Sequence, residues 1–472
     1  MSNSNAYVWG LMSRFAPQGL YLITTMVLAR FLAPSDFGTM GVLAVIFTVA
    51  NILLDSGLGG SLIQKEDIND DDCSTISSFN IIVSAIIYCS LFISASRIET
   101  FFEISDLSGV VKTVSLVFPI TAVGIVPLSI LKRQLKFREI FISTLSGVVI
   151  ASFFAIVIAI KGCGVYALVY YQIIVNAVMV LLNFHFSKYK LSLRFKMENF
   201  KILIPFGFFT SVVTIIDTIY ENLITTLTGK YLDVQRAGFL YQAKRIEETM
   251  SNSLSVAVGS VAFPILSRLR DNKEAFIEET LKTFKVITLL VFPVLTTVLV
   301  FSTDILRILF GEQWVPASEY LKVLMICGYF LLMEQLFLSF IKSSSKVKKL
   351  MHITIIKRII GISLLFLSLI FLKDYLIYAY LLSTIIGCLM NLSLYHSVSG
   401  VKYKSIFLQM ANCMTPVIII NLLFAFLCQS ELKTLLLLFV YMVVLLLYYT
   451  VYVRYQGVNL ILFIKNVLTK RK

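Results

Sequence analysis

The chain has 472 residues, 58% of them hydrophobic and only 14% charged, with a formal net charge of +14. An ordinary soluble domain carries about 25% charged and about 45–50% apolar residues, so that class is excluded, and the long apolar runs lack the polar alternation of an outer-membrane strand. The composition predicts an all-α polytopic membrane protein, because backbone groups in lipid must be paired within the spanning segment.

A spanning helix needs roughly 20 mostly apolar residues to cross a hydrocarbon core of about 30 Å, and about fourteen segments are read as spans. The first, at about 7–29, carries Arg14, with Gln18 one turn on and Pro17 and Gly19 beside it. A charge near the centre of a span costs roughly 2.5–3.5 kcal/mol on insertion scales. Arg14 is therefore read as a charge in a hydrated cavity that Gln18 also faces, or as a side chain snorkelling to the inner interface. The stretch ARFLAPSDFGTMG from Ala29 makes the turn into the second span, at about 39–63. Asp55 in that span is followed by Ser56, Gly57, Gly59 and Gly60, and close helix packing explains it as well as transport does. The acidic run EDINDDD from Glu66 reads as a solvated loop with helix-start preferences rather than a Mg²⁺ site.

Spans at about 77–96, 110–131, 140–160 and 164–187 complete a first group of six, followed by the basic linker LSLRFKMENFK. The seventh span, at about 202–227, holds Asp217 and Glu221 four residues apart on one helix face. They read either as a proton or sodium site coupling transport to an ion gradient, or as structural partners of Arg14, Lys244 or Arg245. The eighth span, at about 246–266, is rich in Ser and Gly, which suits closely packed membrane helices. At its entrance Lys244 and Arg245 either form a basic lip for an anionic cargo or are neutralised by Glu247 and Glu248. Spans at about 285–303, 318–341, 350–372 and 374–396 follow, with Glu334 and Gln335 in the tenth. Lys357 and Arg358, in the eleventh, read as an inner basic patch or as a membrane-surface anchor. Two further spans, at about 405–428 and 432–454, precede a basic tail.

With the amino terminus in the cytoplasm, the loops on that side carry more than twice the Lys and Arg of the opposite loops. Both termini are therefore expected inside. Topology and attraction to anionic lipid account for the charge, without nucleic-acid binding. The opening MSNSNAYVWG has no basic n-region, and no removable signal peptide is expected. Seven scattered cysteines read as small buried apolar residues, and three distant histidines predict no metal site. Without a G-x-x-x-x-G-K-[ST] motif, ATP hydrolysis is not expected, and no cofactor is implied.

The chain repeats internally. RFLAPSDFGTMG from Arg30 lies over KYLDVQRAGFLY from Lys230, LKRQLKFRE from Leu131 over IKSSSKVKK from Ile341, and VYALV from Val165 over IYAYL from Ile377. The period covers six spans, so the halves enter the membrane in the same direction and are expected to be related by an axis along the membrane normal. The predicted organisation is a six-helix lobe over 1–190, a second over 191–400, and two additional helices with a cytoplasmic tail over 401–472.

The phrases ARFLAPSDFG, LLDSGLGGSLIQKEDIND, LKRQLKFRE, GCGVYALV, FGFFTSVVTIID, GKYL, AFPILSRLRDNKEAF and LFGEQWVPA, in that order, resemble the Wzx-type polysaccharide flippases. These belong to the multidrug, oligosaccharidyl-lipid and polysaccharide exporter superfamily. The resemblance runs from about residue 10 to about residue 320. It implies a bacterial inner-membrane flippase, not an enzyme, that moves an undecaprenyl-diphosphate-linked oligosaccharide to the periplasmic leaflet by alternating access. The product would be O-antigen, capsule or exopolysaccharide. Implied partners are the lipid-linked cargo, membrane lipids, H⁺ or Na⁺, and polysaccharide assembly proteins. A diphosphate and a sugar chain call for fixed positive and polar groups, for which Arg14, Gln18, Lys244, Arg245, Lys357 and Arg358 are the candidates. A cation-coupled multidrug antiporter of the same superfamily and a membrane polysaccharide polymerase stand as alternatives.

Overall fold

The computed structural model of the chain describes residues 3–55, 58–65, 67–269, 273–343, 347–427, 440–441, 443–445 and 447–448; the side chains of 3–7, 14, 202–213, 252–268, 273, 342–343, 347–351 and 425–427 lie outside the description. Among the described residues the regular elements are helices. They are α1 (Asn3–Leu28), α2 (Pro34–Asp55), α3 (Leu58–Gln64), α4 (Asp70–Phe102), α5 (Leu107–Val114), α6 (Val117–Arg133), α7 (Phe137–Ile160), α8 (Tyr166–Ser187), α9 (Met197–Tyr231), α10 (Val234–Arg268), α11 (Lys273–Val300), α12 (Ser302–Phe310), α13 (Ala317–Ser343), α14 (Val347–Phe371), α15 (Leu376–Ser399) and α16 (Tyr403–Leu427).

Ten stretches among the described residues are long and apolar enough to cross a membrane, with α2–α3 and α5–α6 each counted once. Expected spans one, seven and eight fall in α1, α9 and α10, helices of 26, 35 and 35 residues. Most of the fourteenth lies outside the described residues. Large apolar side chains such as Ile93, Leu181, Ile370 and Phe371 are exposed. That is the arrangement expected where hydrocarbon rather than water surrounds the bundle, so that packing and hydrogen bonds, not apolar burial, hold helix to helix.

Local chemistry sets the helix ends. Asn69 caps α4 by accepting from the Asp72 N–H at 2.8 Å, and the Asp72 carboxylate accepts from the Asn69 N–H at 3.1 Å, which completes a capping box. The Arg133 guanidinium donates to the carbonyls of Leu62, at 3.1 Å, and of Lys65, placing a cation on the last turn of α3. One expected span, 110–131, divides into α5 and α6. The break falls just before Pro119, which stands in the first turn of α6 where its missing N–H is tolerated.

The helices gather into two compact units, Met1–Tyr241 with Leu309–Gln313, and Gln242–Ile308 with Trp314–Lys472. In the first, α1 packs on α7, α6 and α7 on α8, α4 on α6, and α2 on α9. Leu58, Leu62, Cys73, Ile76 and Val126 form one focus of its core, and Ala50, Leu54, Phe118 and Ala122 another. In the second, α13 and α14 pack on α15, and α11 packs on α13 and α16. Phe284, Phe337, Phe340 and Tyr395 meet there as an aromatic cluster with ring centroids 5.0–6.4 Å apart. Each unit holds one of the two tryptophans. Trp9 is half-buried, 5.4 Å from the Phe141 ring and 6.0 Å from the Arg138 guanidinium, whereas Trp314 is fully buried.

Within the first unit, the starts of α2 and α10 cross through the paired glycines of the sequence repeat. A Cβ on Gly38 would overlap the Val234 carbonyl oxygen, and a Cβ on Gly238 would overlap the Pro34 carbonyl oxygen. Each obstacle lies four residues before the opposing glycine, so the contact is reciprocal. Only residues without a side chain permit so close an approach of two backbones.

Candidate functional site

The polar groups singled out in the sequence fall into separate settings. The backbone of Arg14 lies in α1, three residues before Pro17, but its side chain is outside the described residues. Gln18, one turn on, is exposed. On α9 the buried face runs through Thr218, Tyr220, Ile224, Thr225 and Thr228. Asp217, half-buried, and Glu221, exposed, share the side of the helix that carries those residues, with exposed Thr214 a turn before, while the exposed apolar Ile216 and Ile219 take the opposite side. This is the shared carboxylate face expected from the four-residue spacing, and both acids make polar or electrostatic interactions there.

On α10 the charges interlock. Lys244 is buried and lies 3.7 Å from Glu248, which also lies 4.0 Å from the half-buried Arg245. Glu247 is buried, accepts a hydrogen bond from Ser251 at 2.5 Å, and rests against Gly328 of α13. One carboxylate thus serves two cations while its neighbour is satisfied by a hydroxyl.

One buried charge is a group whose partner the sequence left open. Lys357 of α14 and Glu334 of α13 are each 6% exposed and form an ion pair. Gly387 of α15 makes the room: a Cβ there would stand 2.8 Å from the Lys357 Cδ and 3.4 Å from a Glu334 carboxylate oxygen. The expectation of a membrane-surface anchor at Lys357 is corrected, since the ammonium is held inside the second unit by the one arrangement that offsets burying it. Arg358, the next residue, is half-buried. The signal for the pair was present, because an acid in one span and a base in the next must find partners in low dielectric.

The acidic run is also corrected in part. Asp67 and Asp70 are exposed, but Asp72 is fully buried. It takes the Lys65 ammonium at 2.6 Å and the Asn199 amide at 2.9 Å. Among the described residues no group of three His, Cys, Asp or Glu side chains is placed to hold a metal. His396 instead meets the Val401 carbonyl at 2.7 Å and lies 4.2 Å from the Tyr403 ring.

The two motifs ARFLAPSDFG and GCGVYALV meet at Asp36. Its carboxylate accepts from the Ala33 N–H at 2.9 Å and from the backbone of Val165, and lies against Gly164. From LFGEQWVPA, the Gln313 amide donates to the Ala29 carbonyl at 2.6 Å and to Leu32 at 3.3 Å, closing the end of α1. In the second unit a cavity of about 400 Å³ lies between α11, α13 and α16. Its lining is almost wholly apolar, including Phe292, Met325, Phe330, Phe407, Met410 and Met414, and suits an unbranched or isoprenoid chain rather than a sugar.

Comparison with known proteins adds a family match and a fold. The family described as polysaccharide biosynthesis protein matches residues 27–319. The lipopolysaccharide biosynthesis protein WzxC of Escherichia coli (strain K12) is 25% identical over 68% of this chain and 65% of its own length. An uncharacterized membrane protein in the cps region of Klebsiella pneumoniae is 25% identical over 76% of this chain and 75% of its own. Among solved structures, the lipid II flippase MurJ in an inward closed conformation superposes with a TM-score of 0.71 at 16% identity, covering 96% of this chain and 100% of that one. The chain thus shares the all-helical, polytopic fold of that structure.

Proposed function

Because the chain belongs to the polysaccharide biosynthesis protein family, we propose that it is a flippase for an undecaprenyl-diphosphate-linked oligosaccharide. The cargo moves from the cytoplasmic to the periplasmic leaflet of a bacterial inner membrane, for O-antigen, capsule or exopolysaccharide synthesis, and no bond is made or broken. The observation that carries this reading is the family match over 27–319. The name of WzxC and the fold shared with MurJ support it, as does the apolar cavity between α11, α13 and α16, whose chemistry suits a polyprenyl tail.

In this reading the repeat lobes, 1–190 and 191–400, alternate between two states whose balance is set by differential binding of cargo and ions. Arg14 and Gln18 on α1, with Lys244 and Arg245 on α10, are the groups we assign to the diphosphate and sugars. Lys357 fits that role less well, since it is buried and engaged by Glu334, and the pairing of buried Lys244 with Glu248 must likewise open for it to reach the cargo. Asp217 and Glu221, two carboxylates one turn apart on α9, are the proposed coupling site for H⁺ or Na⁺.

The test is a deletion strain complemented at equal membrane levels. Deletion is expected to abolish surface polysaccharide and to accumulate the lipid-linked repeat unit on the cytoplasmic leaflet. Arg14→Ala is expected to reach the membrane without restoring polysaccharide. Undiminished polysaccharide in the deletion overturns the flippase reading, whereas rescue by Arg14→Ala removes only Arg14 from the site. Normal transport by Asp217→Asn with Glu221→Gln, insensitive to ionophores, removes the coupling site.

A further inference from the structure

The segment joining α8 to α9 has a pattern that belongs to no helix. From Lys188 to Lys196 the chain contains no helix, turn or bend. Apolar and polar residues alternate along it: Leu191, Leu193 and Phe195 on one parity, Lys190, Ser192, Arg194 and Lys196 on the other. In an extended chain successive side chains point to opposite sides, so this order separates an apolar edge from a basic one. The apolar edge is uncovered, with Leu193 at 61% and Leu191 and Phe195 each at 43% exposure.

The strap is nevertheless fixed. Tyr189 shares a hydrogen bond with Ser77 at 3.0 Å, and burial pushes its phenol pKa above the ordinary value. The Lys196 N–H donates to the Thr75 hydroxyl at 3.2 Å while its ammonium pairs with Asp71. The Phe195 ring lies 5.4 Å from that of Phe200. These contacts hold both ends of the strap to the first turns of α4 and α9, so a surface that binds it has little ordering to impose.

We infer that this strap is a membrane-interface anchor whose ligand is anionic phospholipid of the leaflet at the Ser187 end of α8. Position supplies the first reason: α8 is a spanning helix, and the strap begins at the residue after its end. Charge supplies the second. Lys188, Lys190 and Arg194 are exposed, while the nearby carboxylates of Asp71 and Asp72 are taken by Lys196 and by Lys65 and Asn199, so that three exposed cations face two exposed acids, Asp70 and Glu198. An apolar edge beside a basic one matches the boundary between acyl chains and anionic headgroups, where amphipathic segments bury their apolar side chains about 5–10 Å deep. The strap would thereby tie the link between the two repeats to the membrane surface.

Spin labels on the full-length chain test this in a cysteine-free background, with each variant checked for monodispersity by gel filtration. Labels replace Lys190, Leu191, Leu193, Arg194 and Phe195 one at a time, as in Leu193→Cys. Proteoliposomes contain phosphatidylcholine with or without phosphatidylglycerol. With phosphatidylglycerol, labels at 191, 193 and 195 are expected to favour oxygen over an aqueous nickel reagent, and labels at 190 and 194 the reverse. Omitting phosphatidylglycerol, or introducing K190Q with R194Q, is expected to lower the oxygen-to-nickel ratio at 193 severalfold. Equal water access on both parities, protection of both from both reagents, or an alternation indifferent to phosphatidylglycerol each overturns the inference.

Discussion

The starts of α2 and α10 solve one problem in two ways. At α2 the carboxylate stands inside the helix, Asp36 accepting back from the Ala33 N–H at 2.9 Å. At α10 it stands just before the helix, Asp233 accepting from the Arg236 N–H at 2.6 Å and pairing with that arginine's side chain at 3.1 Å. These are the two halves of a capping box, one kept by each copy. A helix start needs some acceptor for its orphan N–H groups, but either position supplies it. Gly38 and Gly238 have no such freedom, because each is the space the other helix fills. What the copies share is therefore steric, and what differs is electrostatic and local.

The largest effect is expected where the comparison is steric. Gly38→Leu or Gly238→Leu must force the two backbones apart, with a loss upwards of about 3 kcal/mol. Thermal unfolding in detergent should show the two losses to be similar, since the contact is reciprocal. A mild loss at one glycine and a severe one at the other would break the symmetry. Next come the caps. Asp36→Ala should cost about 1–2 kcal/mol and Asp233→Ala about 0.5–1 kcal/mol, because Asp36 also takes the Val165 backbone. The reverse order, measured in the same way, would mean that the Val165 contact contributes nothing.

The smallest effect concerns the basic residue that opens each copy. Lys230 lies 2.7 Å from Glu103 and 5.2 Å from the Phe101 ring, in the place that Arg30 holds in the first copy. The hydrogen bond from Lys230, then its charge, hold the Glu103 carboxyl below its ordinary value of 4.5. A depressed carboxylate contributes stability above the unfolded-state pKa and loses it as pH falls through the folded-state value. The melting temperature of the wild type should therefore exceed that of Glu103→Gln slightly above about pH 4.5 and converge with it in more acid solution. A difference that persists in acid would assign the contact to packing on Phe101.

The helical class, ten of the fourteen spans and the glycine match were legible because each rests on local pattern: apolar length, and a motif that recurs two hundred residues on. Acid and base positions were legible too, but their partners were not. Glu334 and Lys357 lie in different helices and meet only because α15 has no side chain at Gly387. Asp72 stands in a run that reads as solvated, yet Asn199, more than a hundred residues away, closes over it. The break between α5 and α6 is two residues long and interrupts no apolar run, so hydropathy does not register it.

The placement of the two indoles gives the molecule a built-in two-colour gauge. Trp314, fully buried, should emit toward the blue and resist aqueous quenchers, while the half-buried Trp9 should emit further to the red and yield to them. Quenching titrations can then assign a destabilising substitution to one half of the chain without any added label. A lesion at Gly38 that leaves the protected blue component intact would mark the halves as separate cooperative blocks.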